Sequence, residues 1–381
     1  MKRSVEVAIV GGGVIGCSIA YHLANLGCRD VAVYERGYPS CGSTGRCGAG
    51  VRAQWGTEMN CRLAHESIKR FERLEEDLDY PDIEFKQGGY LILAFSPAQL
   101  RQFERNVALQ NSLGIPSRVV GPDEARDIVP HLAAPDLVGA TFCGTDGHCN
   151  PFKVTDAYAR AARRLGVEIN TYTSVTGFEQ QGGRVVRLET TAGPVECGAV
   201  VNAAGPFSAQ VAAMAGLELP VFSQRHQVVV TEPVAPKQRP MVISFAHGFY
   251  CQQTPHGSFI LGLGDPAEPR GLDIGHSWQF LADLAEKVEH LLPSLGRLRA
   301  VRQWSGLYNV TPDAQPILGP AGQPANLWLA VGFSGHGFML APMVGLTIAQ
   351  GILGMEAEIP IDRLVLARFA RGELVPEPSV V

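Results

Sequence analysis

The chain has 381 residues, 46% of them hydrophobic and 18% charged, with a formal net charge of −5. This balance excludes a mainly disordered chain and a coiled coil, and the length allows two or three domains around a sizeable core. No basic excess suggests nucleic acid or an anionic membrane surface as a partner.

The opening, "MKRSVEVAIVGGGVIGCSIAYHLA", superficially mimics a secretory leader, but Glu6 and three consecutive glycines interrupt it, and a strand explains it better. Val5, Val7, Ile9 and Val10 form that strand. Gly11, Gly13 and Gly16 follow with the spacing G-x-G-x-x-G. The next helix carries Ile15, Ile19, Leu23 and Leu26 on one face and ends at Gly27. A second strand, Val31 to Tyr34, runs into Glu35. This strand–turn–helix–strand unit is what a dinucleotide-binding fold requires.

A loop of small residues, 37–50, comes next, then a helix over about 57–78, a strand over 85–94 and an amphipathic helix over 97–114. A short helix is expected near 123–129 and a longer one over 153–165. Strands near 167–175, 175–180, 184–190 and 199–203 read as a meander, turning at Gly182-Gly183 and Ala192-Gly193. The last of these ends in Asn202-Ala203-Ala204-Gly205, and Pro206 opens a helix to about 215. Residues 221–265 are strand-like, 276–292 helical, and 298–310 and 327–331 strands. The apolar run 327–349 contains His336, Pro342 and four glycines, so it reads as strand, turn and buried helix and not as a membrane span.

The expected fold is α/β: a Rossmann-like domain over 1–84, 141–220 and 305–381, with a sheet-rich substrate domain over 85–140 and 221–304, both discontinuous. Nine cysteines cannot all pair, and none is spaced C-x-x-C; Cys41 and Cys47, and Cys143 and Cys149, each have five residues between them. Reduced thiols packed as small hydrophobes, a cytoplasmic location and no metal site are expected.

In the dinucleotide unit the first glycine permits the tight turn, the second admits the pyrophosphate, and the third lets helix and strand pack closely. The helix N-terminus carries about +0.5 charge toward the phosphates, and Glu35 stands where a carboxylate meets the ribose hydroxyls. A second near-match, Gly262, Gly264 and Ala267, is followed by Pro266 and Pro269 in place of a helix and has no acidic strand end. With one dinucleotide unit, a bound flavin fits better than two exchanging nucleotides, and a long flavin cavity would explain the glycine-rich stretches 42–50 and 332–337.

The segments "VAIVGGGVIGCSIAYHLANLG", "YERG", "GSTGRCGAGVR", "VVNAAGPFSAQVAAMAGLELPV", "TPDAQPILG" and "GFSGHGFMLAP" occur in this order. Together they resemble the D-amino-acid-oxidase family of flavoproteins, from residue 5 to about 355, and most of all its sarcosine oxidase and heteromeric proline dehydrogenase β-subunit branch. The resemblance implies FAD and oxidation of the CH–NH bond of a small amino acid to an imine by hydride transfer to flavin N5. Sarcosine, proline, hydroxyproline and glycine are the kinds of substrate implied. It places the cofactor contacts at Gly11, Gly13, Val14, Ile15, Gly16, Glu35, Arg36, Ser43, Thr44, Arg46, Gly48, Ala49, Val175, Ala203, Ala204 and Gly205. It extends them to Gly332, Ser334, Gly335, His336, Gly337, Phe338 and Met339.

By the same resemblance Arg52 is the candidate anchor for a substrate carboxylate, and a guanidinium offers a bidentate fork for that task. Arg46 is an alternative anchor or a phosphate contact. His336 could lie beside the flavin ring or simply be a packed histidine. Tyr308 matches a tyrosine near the substrate and Tyr250 is a second candidate, though either could be core aromatic. Met339 stands where monomeric relatives carry a lysine that shares carboxylate binding, and Gly306 stands where they carry the cysteine that attaches FAD, so noncovalent FAD is expected. None of the six lysines falls in a flavin-facing motif. This leans toward a dehydrogenase, unless His336 supplies a positive charge for oxygen. A partner subunit receiving electrons is the alternative arrangement. A non-catalytic nucleotide-binding scaffold is a third reading, disfavoured by the intact Arg52 and "GFSGHGF".

Overall fold

A computed structural model describes residues 1–377 and 379. The strand Ser4–Val10 lies at the centre of the first sheet, with parallel neighbours Val31–Tyr34 and Val195–Asn202. Glu168–Asn170 and Leu327–Val331 extend it in parallel, and Ile317–Pro320 closes one edge antiparallel. Val5, Val7, Ala8, Ile9 and Val10 are all buried, as expected for a parallel strand covered on both faces. The antiparallel strands Val175–Gln181 and Arg184–Thr190 form a meander with Val195–Asn202, whereas the first strand expected in it, near 167–175, forms only at Glu168–Asn170 and joins Val31–Tyr34 in parallel.

The helix Val14–Asn25 crosses the buried helix Gly337–Ile352 at close range. A Cβ on Gly345 would lie 2.0 Å from Ser18 Oγ, and that hydroxyl donates to the Ala341 carbonyl at 2.8 Å. Small residues at the crossing therefore set the approach. Among the described residues no helix is long and apolar enough to cross a membrane.

The second sheet runs in the order Ala300–Val310, Phe222–Thr231, Phe259–Leu263, Phe249–Gln253, Met241–Ser244, Tyr90–Ala94, Gly139–Cys143, Arg118–Val120. It is antiparallel except where Met241–Ser244 meets Tyr90–Ala94. The helices Pro97–Ser112 and Trp278–Leu291 lie in this region, and Phe280, Leu284, Val288 and Leu291 of the second join a core with Leu91, Leu93, Val229 and Phe249. The strand expected over 85–94 forms only at Tyr90–Ala94. Gly89 has φ +89°, and a Cβ on Gly88 would sit 2.1 Å from the Arg239 carbonyl oxygen, so the two glycines bend the chain away from the ladder. The helix expected over 57–78 divides into Glu58–Phe71 and Leu74–Asp77.

The boundaries expected at 141 and 305 fall inside two strands of the second sheet. Gly139–Cys143 pairs with Tyr90–Ala94, and Ala300–Val310 pairs along its length with Phe222–Thr231. We propose a division that follows the sheets and keeps both strands in the substrate domain. Near the C-terminal end, Arg368 and Asp313 form a fully buried bidentate pair at 2.9 and 3.0 Å, fixing that segment on the "TPDAQPILG" motif.

Candidate functional site

A cavity of ≈ 440 Å³ lies between the two sheets, lined by residues from Val10 to Met339. Its volume falls in the range of small-molecule and cofactor sites, about 300–1,000 Å³.

At one end the walls are backbone. Gly11 has φ +113°, and a Cβ there would lie 2.4 Å from the Ala203 carbonyl oxygen, so only glycine fits the turn. A Cβ on Gly16 would overlap the Gly11 carbonyl oxygen at 2.0 Å, so this position closes the helix onto the strand and does not face the cavity. Gly13 differs: a Cβ on it would meet only Thr44 Oγ1, at 3.1 Å, and it lines the cavity at the start of the helix Val14–Asn25. Thr44 Oγ1 accepts from Val14 N–H at 3.2 Å. Glu35 accepts from the Gly12 and Gly37 N–H groups at 2.7 and 2.8 Å, which holds its carboxylate against the cavity wall. Val14, Ile15, Arg36, Ser43, Thr44, Gly48, Ala49, Val175, Ala203, Ala204 and Gly205 line the same space. The residues fit FAD: side-chain space left open at Gly13, a helix N-terminus beside it, and a carboxylate at the strand end.

Toward the other end the walls are side chains. Ser334, Gly335, His336, Gly337, Phe338 and Met339 line it, where the helix Gly337–Ile352 begins. Gly332 does not line the cavity. It has φ +74°, and a Cβ there would lie 2.5 Å from Thr311 Cγ2, so it serves the turn. Asn309 holds this turn by accepting from Gly332 N–H through Oδ1 and from Ser334 N–H through its carbonyl, both at 2.8 Å.

Arg52 is buried and lines the cavity. Its Nη1 donates to the Gln54 carbonyl at 2.5 Å, its Nη2 donates to the Ser379 carbonyl, and its guanidinium lies 3.7 Å over the Trp55 ring. Burial pulls its pKa down from the ordinary guanidinium value. Asp146 pins the loop that carries it. This fully buried carboxylate accepts from Ala53 N–H at 2.8 Å and Gln54 Nε2 at 2.9 Å, and burial pushes its pKa up to about 6. Sequence reasoning missed Asp146, because its partners lie about ninety residues away.

His336 packs edge-on against Trp55 with ring centroids 4.5 Å apart. Burial, and then the Arg52 charge, hold its pKa well below the ordinary imidazole value. Burial thus disfavours the imidazolium form, which the alternative of a positive charge for oxygen would need. Among the described residues no lysine lines the cavity.

Tyr250 and Tyr308 both line the cavity, with His226 stacked between them at centroid distances of 5.6 and 4.6 Å. Burial pushes the His226 pKa down to about 4, and its Nε2 has no hydrogen-bond partner within the chain. His226 escaped the sequence reading because a lone histidine on a strand carries no spacing signal. Its cross-strand partner, Gly306, leaves space there; a Cβ on Gly306 would meet Arg46 Cβ at 3.1 Å. Arg46 lines the cavity but donates Nη1 to the Ser305 carbonyl at 3.1 Å. Gly262, part of the second glycine near-match, instead makes room for Tyr250: a Cβ on it would lie 2.2 Å from that ring.

Over 382 aligned residues the chain is 31% identical to the sarcosine oxidase subunit beta of an Arthrobacter species, covering 99% of this chain and 94% of that one. Among solved structures it matches the L-proline dehydrogenase from P. horikoshii with a TM-score of 0.94, at 35% identity over 98% of this chain and 100% of that one. Glycine oxidase from Geobacillus kaustophilus matches with a TM-score of 0.88, at 27% identity over 96% and 99% of the two chains. A family model described as FAD dependent oxidoreductase (DAO) matches residues 6–351. That span takes in every segment lining the cavity, and the chain belongs to the DAO family of FAD-dependent oxidoreductases.

Proposed function

We propose that this enzyme oxidises the CH–NH bond of a small amino acid of the sarcosine, proline, hydroxyproline or glycine type, with Arg52 holding the substrate carboxylate. When bound, FAD supplies the hydride acceptor. Gly11, Gly13 and Glu35 would hold its nucleotide part, and the turn from Ser334 to Met339 its ring.

The observation that carries this reading is a buried guanidinium on the cavity wall, beside the helix start at Gly337. A carboxylate entering here would take the Arg52 fork in place of the Ser379 carbonyl, exchanging a neutral acceptor for a charged one. Tyr250, His226 and Tyr308 supply an aromatic wall that excludes water and packs against the substrate carbon chain. His336 and His226, both neutral, add no positive charge to compete with an amine substrate. The positive end of the helix Gly337–Ile352 favours negative charge at the neighbouring part of the cofactor.

We expect FAD to be held without a covalent bond, since Gly306 offers no side chain where monomeric relatives attach it. A yellow protein that releases its flavin on acid precipitation is the expected result; flavin retained in the precipitate contradicts it. A cytoplasmic location follows from the reduced-thiol reading. The relative from Arthrobacter is named as a subunit, and a partner subunit for electron transfer is the arrangement we infer from that likeness. Native mass measurement tests it. Anaerobic mixing with a panel of the four amino acids tests the activity: loss of the flavin absorbance with any of them supports it, and an unchanged spectrum with all of them opposes it.

A further inference from the structure

On the far side of the second sheet three potential ligands converge from distant parts of the chain. Asp136 lies in the loop before Gly139–Cys143, His247 ends the 3-10 turn Phe245–His247, and His290 lies in the last turn of the helix Trp278–Leu291. One ligand atom from each lies within 4.8 Å of the other two. His290 Nε2 stands 2.9 Å from an Asp136 carboxylate oxygen. Ligands of a tetrahedral zinc ion, bound at about 2.0–2.2 Å, stand roughly 3.3 Å apart, so this pair need open by only about 0.4 Å to take an ion.

His247 is the residue that an ordinary ion pair between Asp136 and His290 does not account for. Its Nδ1 stands 2.8 Å from Ser244 Oγ, on the buried end of the strand it leaves. That contact orients the ring and, with Nδ1 carrying the proton, leaves Nε2 as the free nitrogen. Metal-ligating histidines are oriented by the same kind of partner.

We propose that Asp136, His247 and His290 bind one zinc ion, with water completing the coordination. Two imidazoles and one carboxylate suit zinc and other late transition metals better than calcium or magnesium, which prefer oxygen ligands. The two histidines are half-buried and Asp136 is exposed, so the fourth direction opens to solvent. The ion ties the end of a helix to the turn Phe245–His247. The same turn sets the Phe245 ring 5.7 Å from the Arg52 guanidinium, so it joins the metal to the wall of the substrate end. No spacing in the sequence could show the site, because its ligands are separated by more than a hundred residues and by more than forty.

The test is calorimetric titration of chelator-treated, FAD-loaded protein with zinc chloride. One ion per chain is expected in the native protein, with no saturable binding in His290→Gln or Asp136→Asn. Ser244→Ala should weaken binding about 10-fold or more through the freed His247 ring. Asp136 is exposed, so Asp136→Asn should keep its fold, and FAD content checks this for each variant. Absence of saturable binding in the native protein overturns the proposal. So does binding of equal affinity in His290→Gln and Asp136→Asn, which would assign the metal to cysteine thiols elsewhere.

Discussion

The two ends of the cavity are built by different means. The nucleotide end is made of backbone: Gly11 and Gly16 have carbonyl oxygens where a side chain would be, and Glu35 is held by two peptide N–H groups. The reactive end is made of side chains: His226, Tyr250 and Tyr308 from the second sheet, Arg52 from the loop after Gly50–Val51, and His336 from the turn before the helix Gly337–Ile352. A backbone site depends on a few glycines at fixed spacing and tolerates nothing else at them. A side-chain site depends on pairwise contacts across the fold, each of which can be weakened separately.

The contrast breaks most completely at Gly13. Gly13→Leu should abolish FAD binding, because its side chain would project into the cavity that the cofactor occupies. Flavin content of the purified variant reads this, and normal content would move the phosphate site elsewhere. The next largest effect is on folding. Asp313→Ala strands the fully buried Arg368 and should cost about 3–5 kcal/mol by urea denaturation. A loss below about 1 kcal/mol would mean that water reaches the pair.

Arg52→Ala should cost about 2–5 kcal/mol in kcat/KM, mainly through KM, with the flavin spectrum nearly unchanged. Arg52→Lys should recover only part, since an ammonium cannot reproduce the fork. An unchanged KM would move the anchor away from Arg52.

A smaller effect is the pH profile of stability. Burial pushes His22 down to about 3 and both His148 and His226 to about 4, against about 6.5 in an unfolded chain. As pH falls below about 6.5 the unfolded chain takes up these protons first, so stability is lost down to the folded values. Asp146, pushed up to about 6, acts in the opposite sense, because the folded state holds its proton more tightly. Three histidines outweigh one carboxylate, so stability should fall from about pH 7 to about pH 5, and His226→Phe should flatten the slope. A rising profile over that range would contradict the burial of these rings.

The smallest expected effect is at Glu377. It accepts from Gly56 N–H, Thr57 Oγ1 and Asn60 Nδ2 at the start of the helix Glu58–Phe71, so Glu377→Ala should cost about 1 kcal/mol. An unchanged melting temperature would show that this tail contact contributes nothing.

The same contrast decides what could be read from the sequence. The first sheet and its glycine turn were legible, because a buried parallel strand and a close-approach turn each demand residue types at fixed local spacing. Arg52, Tyr250 and Tyr308 could be singled out only by resemblance to a family. Their neighbours His226 and Asp146 could not, since both act through partners far away in the chain. The turn role of Gly332 was not legible, because a turn glycine and a cavity glycine look alike until a Cβ is placed on each. The surroundings of His336 were not legible either, because its contacts with Trp55 and Arg52 follow no local pattern.

The central claim is that an amino acid is oxidised here while Arg52 holds its carboxylate. Anaerobic titration of the native enzyme and Arg52→Ala with sarcosine, proline, hydroxyproline and glycine tests it most directly, followed by flavin absorbance. The account predicts loss of absorbance in the native enzyme with at least one of them, and a half-saturating concentration at least 10-fold higher in the variant, about 1.4 kcal/mol or more. No change with any of the four, or identical titration curves for the two proteins, would contradict it.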